Sequence, residues 1–264
     1  AMKMVSAAKL KKAQDAITAM RPYANKLTEL LQSLSASLDA DSGSAYADDR
    51  PVKKVLIVAI TSNRGLCGAF NSNIIKQCAG IVEESYQNKE VHYMAFGKKG
   101  NDLLSKRESV IADHSKVFDD LTFENVAQIA EELMVLFADG SYDRIVLVYN
   151  KFKNAATQIL MTEQFLPIVS QDEEVNVSTD YIFEPVKEEI VKELIPKSLK
   201  TQLYKSVRDS FASEHGARMT AMHKATDNAS ELRDQLKLTY NQARQAAITN
   251  EILEIVGGAE ALNN

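Results

Sequence analysis

From Ala217 to Val256 the chain contains neither Gly nor Pro, and its small and apolar residues return at alternating intervals of three and four. Met222, Ala225, Ala229, Leu232, Leu236, Thr239, Ala243 and Ala246 therefore share one seam of a continuous helix in heptad register, and such a seam asks for a partner along most of its length. At the α-helical rise this rod is roughly 60 Å long, more than a compact domain of this size encloses. The opening of the chain carries a matching pattern. Leu10, Ile17, Ala24, Leu31 and Leu38 form one heptad column, and Ala13, Met20, Leu27 and Leu34 form the second. Pro22 lies inside this first helix and is expected to bend it, because it removes a backbone donor and crowds the preceding turn. No capping residue precedes Met2, so the pattern reads as a helix entered partway along.

Between the two helices the period changes. Val52 to Thr61 is a nearly continuous aliphatic and β-branched run, as expected of a strand buried on both faces of a parallel sheet. The pattern then predicts a helix over Ser72 to Gln87, a strand over Val91 to Phe96, a short helix over Lys98 to Lys106, and a strand around Val110. An amphipathic helix over Glu124 to Ala138 and a strand over Asp143 to Asn150 follow, with extended pieces at Thr157 to Ile168 and Tyr181 to Phe183. Asp39 to Arg50 reads as a loop leaving the first helix. The expected fold class is α/β: an antiparallel two-helix coiled coil formed by the N- and C-terminal helices, with an inserted Rossmann-like domain whose sheet is mostly parallel. The corresponding boundaries are residues 1–50, 51–184 and 185–264.

Composition excludes several functions. A net charge of −5 argues against general nucleic-acid binding, although Lys3, Lys9, Lys11, Lys12, Arg21 and Lys26 against Asp15 alone make the first helix locally basic. That cluster suits either a solvated face or an acidic partner. No run reaches the length of a membrane span. Cys67 and Cys78 are too few for a disulfide scaffold and point to a reducing compartment.

The segment Thr61-Ser62-Asn63-Arg64-Gly65-Leu66-Cys67-Gly68 follows a strand and opens a helix, where α/β folds hold phosphates. It lacks the third glycine of a dinucleotide fingerprint and the Gly-Lys-Ser/Thr ending of a P-loop, so a tight turn is the competing reading. Cys67 has no sequence-adjacent base to activate it. His92, His114, His215 and His223 form no HExxH pair or Cys/His cluster, and Glu188, Glu189 and Glu193 lie at helical spacing beside Lys187 and Lys192, as on a solvated face. The sequence offers no catalytic constellation, no cofactor site and no metal site.

Met219-Thr220-Ala221-Met222-His223-Lys224-Ala225-Thr226-Asp227-Asn228-Ala229 and the stretch from Leu238-Thr239-Tyr240-Asn241-Gln242-Ala243-Arg244-Gln245-Ala246 to Ala259 resemble the C-terminal helix of the F-type ATP synthase γ subunit family. Met2-Lys3-Met4-Val5-Ser6-Ala7-Ala8-Lys9-Leu10 resembles that family's first helix, and Ser62 to Gly68 resembles its Ser-Asp-Arg-Gly-Leu-Cys-Gly loop. Agreement is weakest between Gln87 and Asp139. Asn63 stands where the family has Asp, Ala69-Phe70 replaces Gly-Leu, and the family's first helix begins about twenty residues before the position matched by Ala1.

The resemblance implies a central rotor shaft that is not itself catalytic. Its helices would thread a hexameric ring of α and β subunits, and its α/β domain would join the ε subunit and the membrane c-ring. By the same resemblance Arg244, Gln245, Thr249 and Glu251 match positions that contact catalytic-subunit loops, and Met2, Lys3 and Arg218 match the region facing acidic β-subunit loops, with Cys67 nearby. Ile252, Leu253, Ile255, Val256 and Leu262 would form an apolar end turning inside a sleeve. The implied location is peripheral, on the cytoplasmic face of a bacterial inner membrane, with an organellar inner or thylakoid membrane as the alternative. Chloroplast members carry an added cysteine-bearing segment, which is not found here. Two other classes remain open on the residues alone: a nucleotide-binding α/β enzyme with a coiled-coil arm, and a coiled-coil scaffold unrelated to rotation.

Overall fold

The computed structural model describes residues 2–35, 46–48, 50–168 and 187–262. The expected loop over Asp39 to Arg50 and the extended piece at Tyr181 to Phe183 lie wholly or largely outside them. The chain divides into two compact units, Ala1–Thr220 and Ala221–Asn264.

In the first unit five strands form one sheet in the order β3-β2-β1-β4-β5. They are β1 (Lys54–Ile60), β2 (Glu90–Phe96), β3 (Val110–Asp113), β4 (Arg144–Phe152) and β5 (Gln158–Leu166). β1 pairs in parallel with β2 and β4, and β2 with β3; only β5 runs antiparallel, along β4. β1 is central, and its residues from Val55 onward are completely buried, which is why it reads as an unbroken apolar run rather than an alternation.

Its side chains alternate between two cores. Leu56, Val58 and Ile60 pack with Val126, Ala130, Leu133 and Phe137 of α4 (Phe123–Ala138), while Val55, Ile57 and Ala59 pack with Phe70, Ile74, Cys78 and Ile81 of α2 (Phe70–Ser85). A short α3 (Lys98–Leu104) adds Leu104 to the second core. α4 starts one residue before the sequence pattern does because Thr122 caps it, its side chain accepting the amide N–H of Asn125 at 3.3 Å. The first core also takes Ile195, Leu199, Leu203 and Val207 from the opening turns of α5 (Lys187–Leu262). The last helix therefore completes the sheet domain before it does anything else.

α1 (Met2–Ser35) packs on α5 through the first part of the predicted heptad columns, the side chains of Leu31, Leu34 and Leu38 lying outside the described residues. Leu10, Ala13 and Ile17 meet Ala212 of α5 and Phe152 of β4, and Ala24 and Leu27 continue the buried stripe. The two helices run antiparallel: Arg21 meets Asp209, whereas Lys9, earlier on α1, acts on Glu214 and His215, later on α5. Helical structure continues through Pro22 and likewise through Pro196 and Gly216.

The second unit is the continuation of α5. Every residue from His223 to Ala259 is exposed, the heptad seam included. Among the described residues no helix is long and apolar enough to cross a membrane.

Candidate functional site

The carboxyl edge of a parallel sheet is where an open α/β fold binds ligands. In this chain α5 occupies it. The hydroxyl of Ser210 donates to the carbonyl of Ile60 at the end of β1 (3.2 Å), and Ser213 donates to Asn150 near the end of β4 (2.9 Å). Thr220 reaches the carbonyl of Ala155 at 3.1 Å, in the turn that follows β4. Carbonyls that parallel strands leave at their ends are thus taken up by side chains of one helix.

The 61–68 loop is tied down in the same way. Thr61 accepts the Gly100 amide and donates to Phe96, each at 2.9 Å, and the amide of Ser62 donates to the Asn71 side chain at 3.0 Å. Asn63 bridges outward, donating to Ser115 and accepting the Lys98 amide. Leu66 and Gly68 both adopt left-handed backbone, at φ 64° and 60°. For a leucine that conformation is uncommon, and its side chain is 60% exposed.

Arg218 joins loop and helix. It pairs with Glu214 at 2.6 Å and donates to the carbonyls of Arg64 (2.7 Å) and Gly65 (3.1 Å). Phosphate cradles present amide N–H groups to the ligand. This loop instead turns carbonyls toward a guanidinium and spends an amide on Asn71, so its chemistry is that of a structural turn held against a helix.

His215 completes the cluster. Its Nδ1 lies 3.2 Å from an Arg218 nitrogen; arginine can only donate, so Nδ1 accepts and the imidazole is neutral. Burial first, then Arg218 and Lys9, push its pKa down to about 4. Glu214 and Asp209 are shifted up, burial again dominating and arginine partners opposing it. The unfolded chain binds a proton at His215 below about pH 6.5 that the folded chain refuses until about pH 4, so this histidine's contribution is full above pH 6.5 and is lost on acidification. The two carboxylates act oppositely, favouring the fold as pH falls toward their ordinary values. Replacing His215 by Gln should therefore remove up to about 3 kcal/mol of acid sensitivity between pH 7 and pH 4. Urea unfolding midpoints measured across that range check this; identical pH profiles for the two proteins would refute it.

The residues matched through the resemblance fall in different settings. Met2 (53% exposed) and Lys3 stand out from the start of α1, and Arg218 is buried in the ion pair. Cys67 is 2% exposed, its sulfur accepting from Asn71 at 3.3 Å, and burial raises its pKa. Any part it plays at an interface is through the shape of the loop, whose exposed knob is its neighbour Leu66. In the second unit Arg244, Gln245, Thr249 and Glu251 are all exposed, with the Thr249 hydroxyl donating to the Gln245 carbonyl at 2.9 Å. Ile252, Leu253, Ile255 and Val256 are each at least half exposed, an apolar cluster of the sort that marks a contact surface. The side chain of Leu262 lies outside the described residues. Sequence reasoning missed Asp209 and Glu214 and weighed His215 only as a metal ligand; the i, i+4 spacing of Glu214 and Arg218 is the one signal that could have found an ion pair.

Residues 1–262 match the family model described as ATP synthase. The chain is 72% identical to the ATP synthase gamma chain of Flavobacterium johnsoniae and 55% identical to that of Cytophaga hutchinsonii, in both cases over all of this chain and 92% of the relative. Among solved structures it resembles a chain from the central stalk and c-ring of the Tetrahymena thermophila mitochondrial ATP synthase, with TM-score 0.62 and 27% identity, over 85% of this chain and 97% of that one. The fold alone is shared with a chain of the Euglena gracilis mitochondrial ATP synthase, at TM-score 0.63 and 22% identity, over 98% of this chain and 94% of that one. These matches define a subunit of the ATP synthase class. The chain belongs to the gamma-chain family of that class.

Proposed function

We propose that this chain is the central shaft of an ATP synthase and is not itself catalytic: it couples rotation of a c-ring to conformational change in ATP sites that other subunits carry. The observation that supports this best is the closed carboxyl edge of the sheet. The crevice an α/β enzyme would use is filled by α5, and the 61–68 loop offers carbonyls where a phosphate needs donors. Family membership and the exposed helix from His223 to Ala259 supply the rest.

The partners in this reading are α and β subunits arranged as a ring, an ε subunit and a c-ring, with the chain peripheral to the cytoplasmic face of a bacterial inner membrane. In this reading α1 (Met2–Ser35) and α5 (Lys187–Leu262) supply the coiled coil, and the opening turns of α5 also belong to the core of the α/β domain. One asymmetric rod can hold surrounding sites in different states only if it contacts each differently, a coupling that requires distinct interactions in each state. Arg244, Gln245, Thr249 and Glu251 supply hydrogen bonds and charge for those contacts, Lys3 adds charge beside the apolar Met2, and Arg218 acts by holding the loop that presents Leu66. The cluster Ile252, Leu253, Ile255 and Val256 turns in an apolar sleeve where directional bonds would impede sliding.

The test is Arg244→Ala combined with Gln245→Ala in a reassembled complex. Loss of two charge-assisted or polar contacts is expected to lower ATP turnover or ring assembly at least tenfold, the equivalent of about 1.4 kcal/mol. Unchanged assembly and turnover would remove these contacts from the reading.

A further inference from the structure

Arg21, on α1, contacts two further elements at once. From α1 its guanidinium donates to Asp209 of α5 at 3.3 Å and to the carbonyl of Phe152 in β4 at 3.0 Å. The surrounding contacts, Leu10, Ala13 and Ile17 against Phe152 and Ala212, are apolar. Such contacts resist separation, but they have no preferred direction and do little to stop one helix sliding along another. Two bonds from one guanidinium nitrogen, to a carboxylate on α5 and a carbonyl on β4, supply the direction that the apolar seam lacks.

The arrangement is costly. Asp209 is completely buried while the Arg21 side chain is 40% exposed, so the carboxylate is fully withdrawn from water and its partner is not. Among the described residues the second oxygen of Asp209 has no hydrogen-bond partner in good geometry. A buried, half-satisfied carboxylate is a net burden on stability, and well-packed apolar residues at such a place are commonly neutral or better. Its presence calls for a role other than holding the fold together.

We propose that Arg21 and Asp209 are positioning residues that lock the register of α1 along α5 and fasten both to β4, so that twist passes between the sheet domain and the helix pair without slip. This rests on the reading of the chain as a rotating shaft. Neither residue belongs to the surfaces assigned to the catalytic ring. A helix pair free to slide by a fraction of a turn would still fill the ring and permit hydrolysis, yet it would deliver less rotation for each ATP consumed.

The experiment uses the complete ATP synthase reassembled in sealed vesicles, with ATP hydrolysis and ion uptake measured on the same sample. Arg21→Met and Asp209→Leu should each leave hydrolysis within about twofold of the native complex and lower the ions moved per ATP at least threefold; the double variant should be no worse than the worse single, as for two members of one unit. Arg21→Lys, which keeps the charge and the donors but on a shorter side chain, should fall between. A merely structural role would lower the yield of complexes and leave the ratio of those that assemble unchanged, and that result overturns the proposal, as does multiplication of the two single effects in the double. Should Arg21→Met or Asp209→Leu fail to assemble, the double variant, which strands no charge, decides: a native ratio refutes the clamp and a lowered one supports it. Failure of the shaft reading is separately visible, since vesicles assembled without this chain would then pump as well as those containing it.

Discussion

Replacing Arg218 by Met is expected to lower the stability of the chain by about 3–5 kcal/mol, the cost of leaving a buried charge without its partner. The side chains of Arg218 and Glu214 are both 8% exposed and lie 2.6 Å apart. Removing the guanidinium strands Glu214, whose pKa burial already raises and Arg218 opposes, so the carboxyl would take up a proton and limit the loss. It also strips the donors from the carbonyls of Arg64 and Gly65, leaving the loop that presents Leu66 without its anchor. For a chain of this length the thermal midpoint should drop by on the order of 10 °C, read by circular dichroism. Adding Glu214→Leu should recover a large part of that loss, because the second substitution removes the stranded charge. A double variant less stable than Arg218→Met would show that the ion pair is not the cause.

Gly97→Ala should cost about 2–6 kcal/mol, combining backbone strain with overpacking. Gly97 sits at φ 104° and ψ 133°, between β2 and α3, a region that residues with a Cβ rarely enter. A Cβ there would stand 2.5 Å from the Thr61 carbonyl oxygen and 2.7 Å from its carbon. That backbone cannot retreat cheaply: the Thr61 amide donates to Phe96 at 2.7 Å, and its hydroxyl links Phe96 to Gly100. Gly80→Ala is the control, since a Cβ within α2 at that position meets nothing within 4 Å and should be neutral or stabilising by about 0.5–1 kcal/mol. Equal denaturation midpoints for Gly97→Ala and Gly80→Ala would contradict the steric argument.

Much of the architecture is readable in the residues because it follows from period. A run such as Val55 to Ile60 can only be buried on both sides, and columns such as Leu10, Ile17 and Ala24 can only line a helix contact, so strands, helices and the seam from Leu10 to Leu27 fall where the patterns put them, whereas the seam from Ala225 to Ala246 lies exposed. Element ends shifted by a residue or two where a local group decided them, as Thr122 does for α4. The polar site was much less visible. Ser210, Ser213, Glu214 and Arg218 look like the hydrophilic face of an amphipathic helix, and no spacing distinguishes a serine that meets water from one that meets the end of a strand. The cluster exists because residues from β1, β4, the 61–68 loop and α5 converge from far apart in the chain.

Two heptad-patterned helices bracketing an α/β insertion follow from periodicity alone, since periodicity is a local property that each segment carries with it. Long-range packing alone makes α5 first complete the sheet core and then close the carboxyl edge that a ligand would otherwise use. It also decided that Asp209, Glu214 and His215 are buried, and burial is what turns ordinary surface residue types into a costly, coupled set of charges. Burial depends on which distant segment arrives to cover a residue, and no spacing along one helix encodes that.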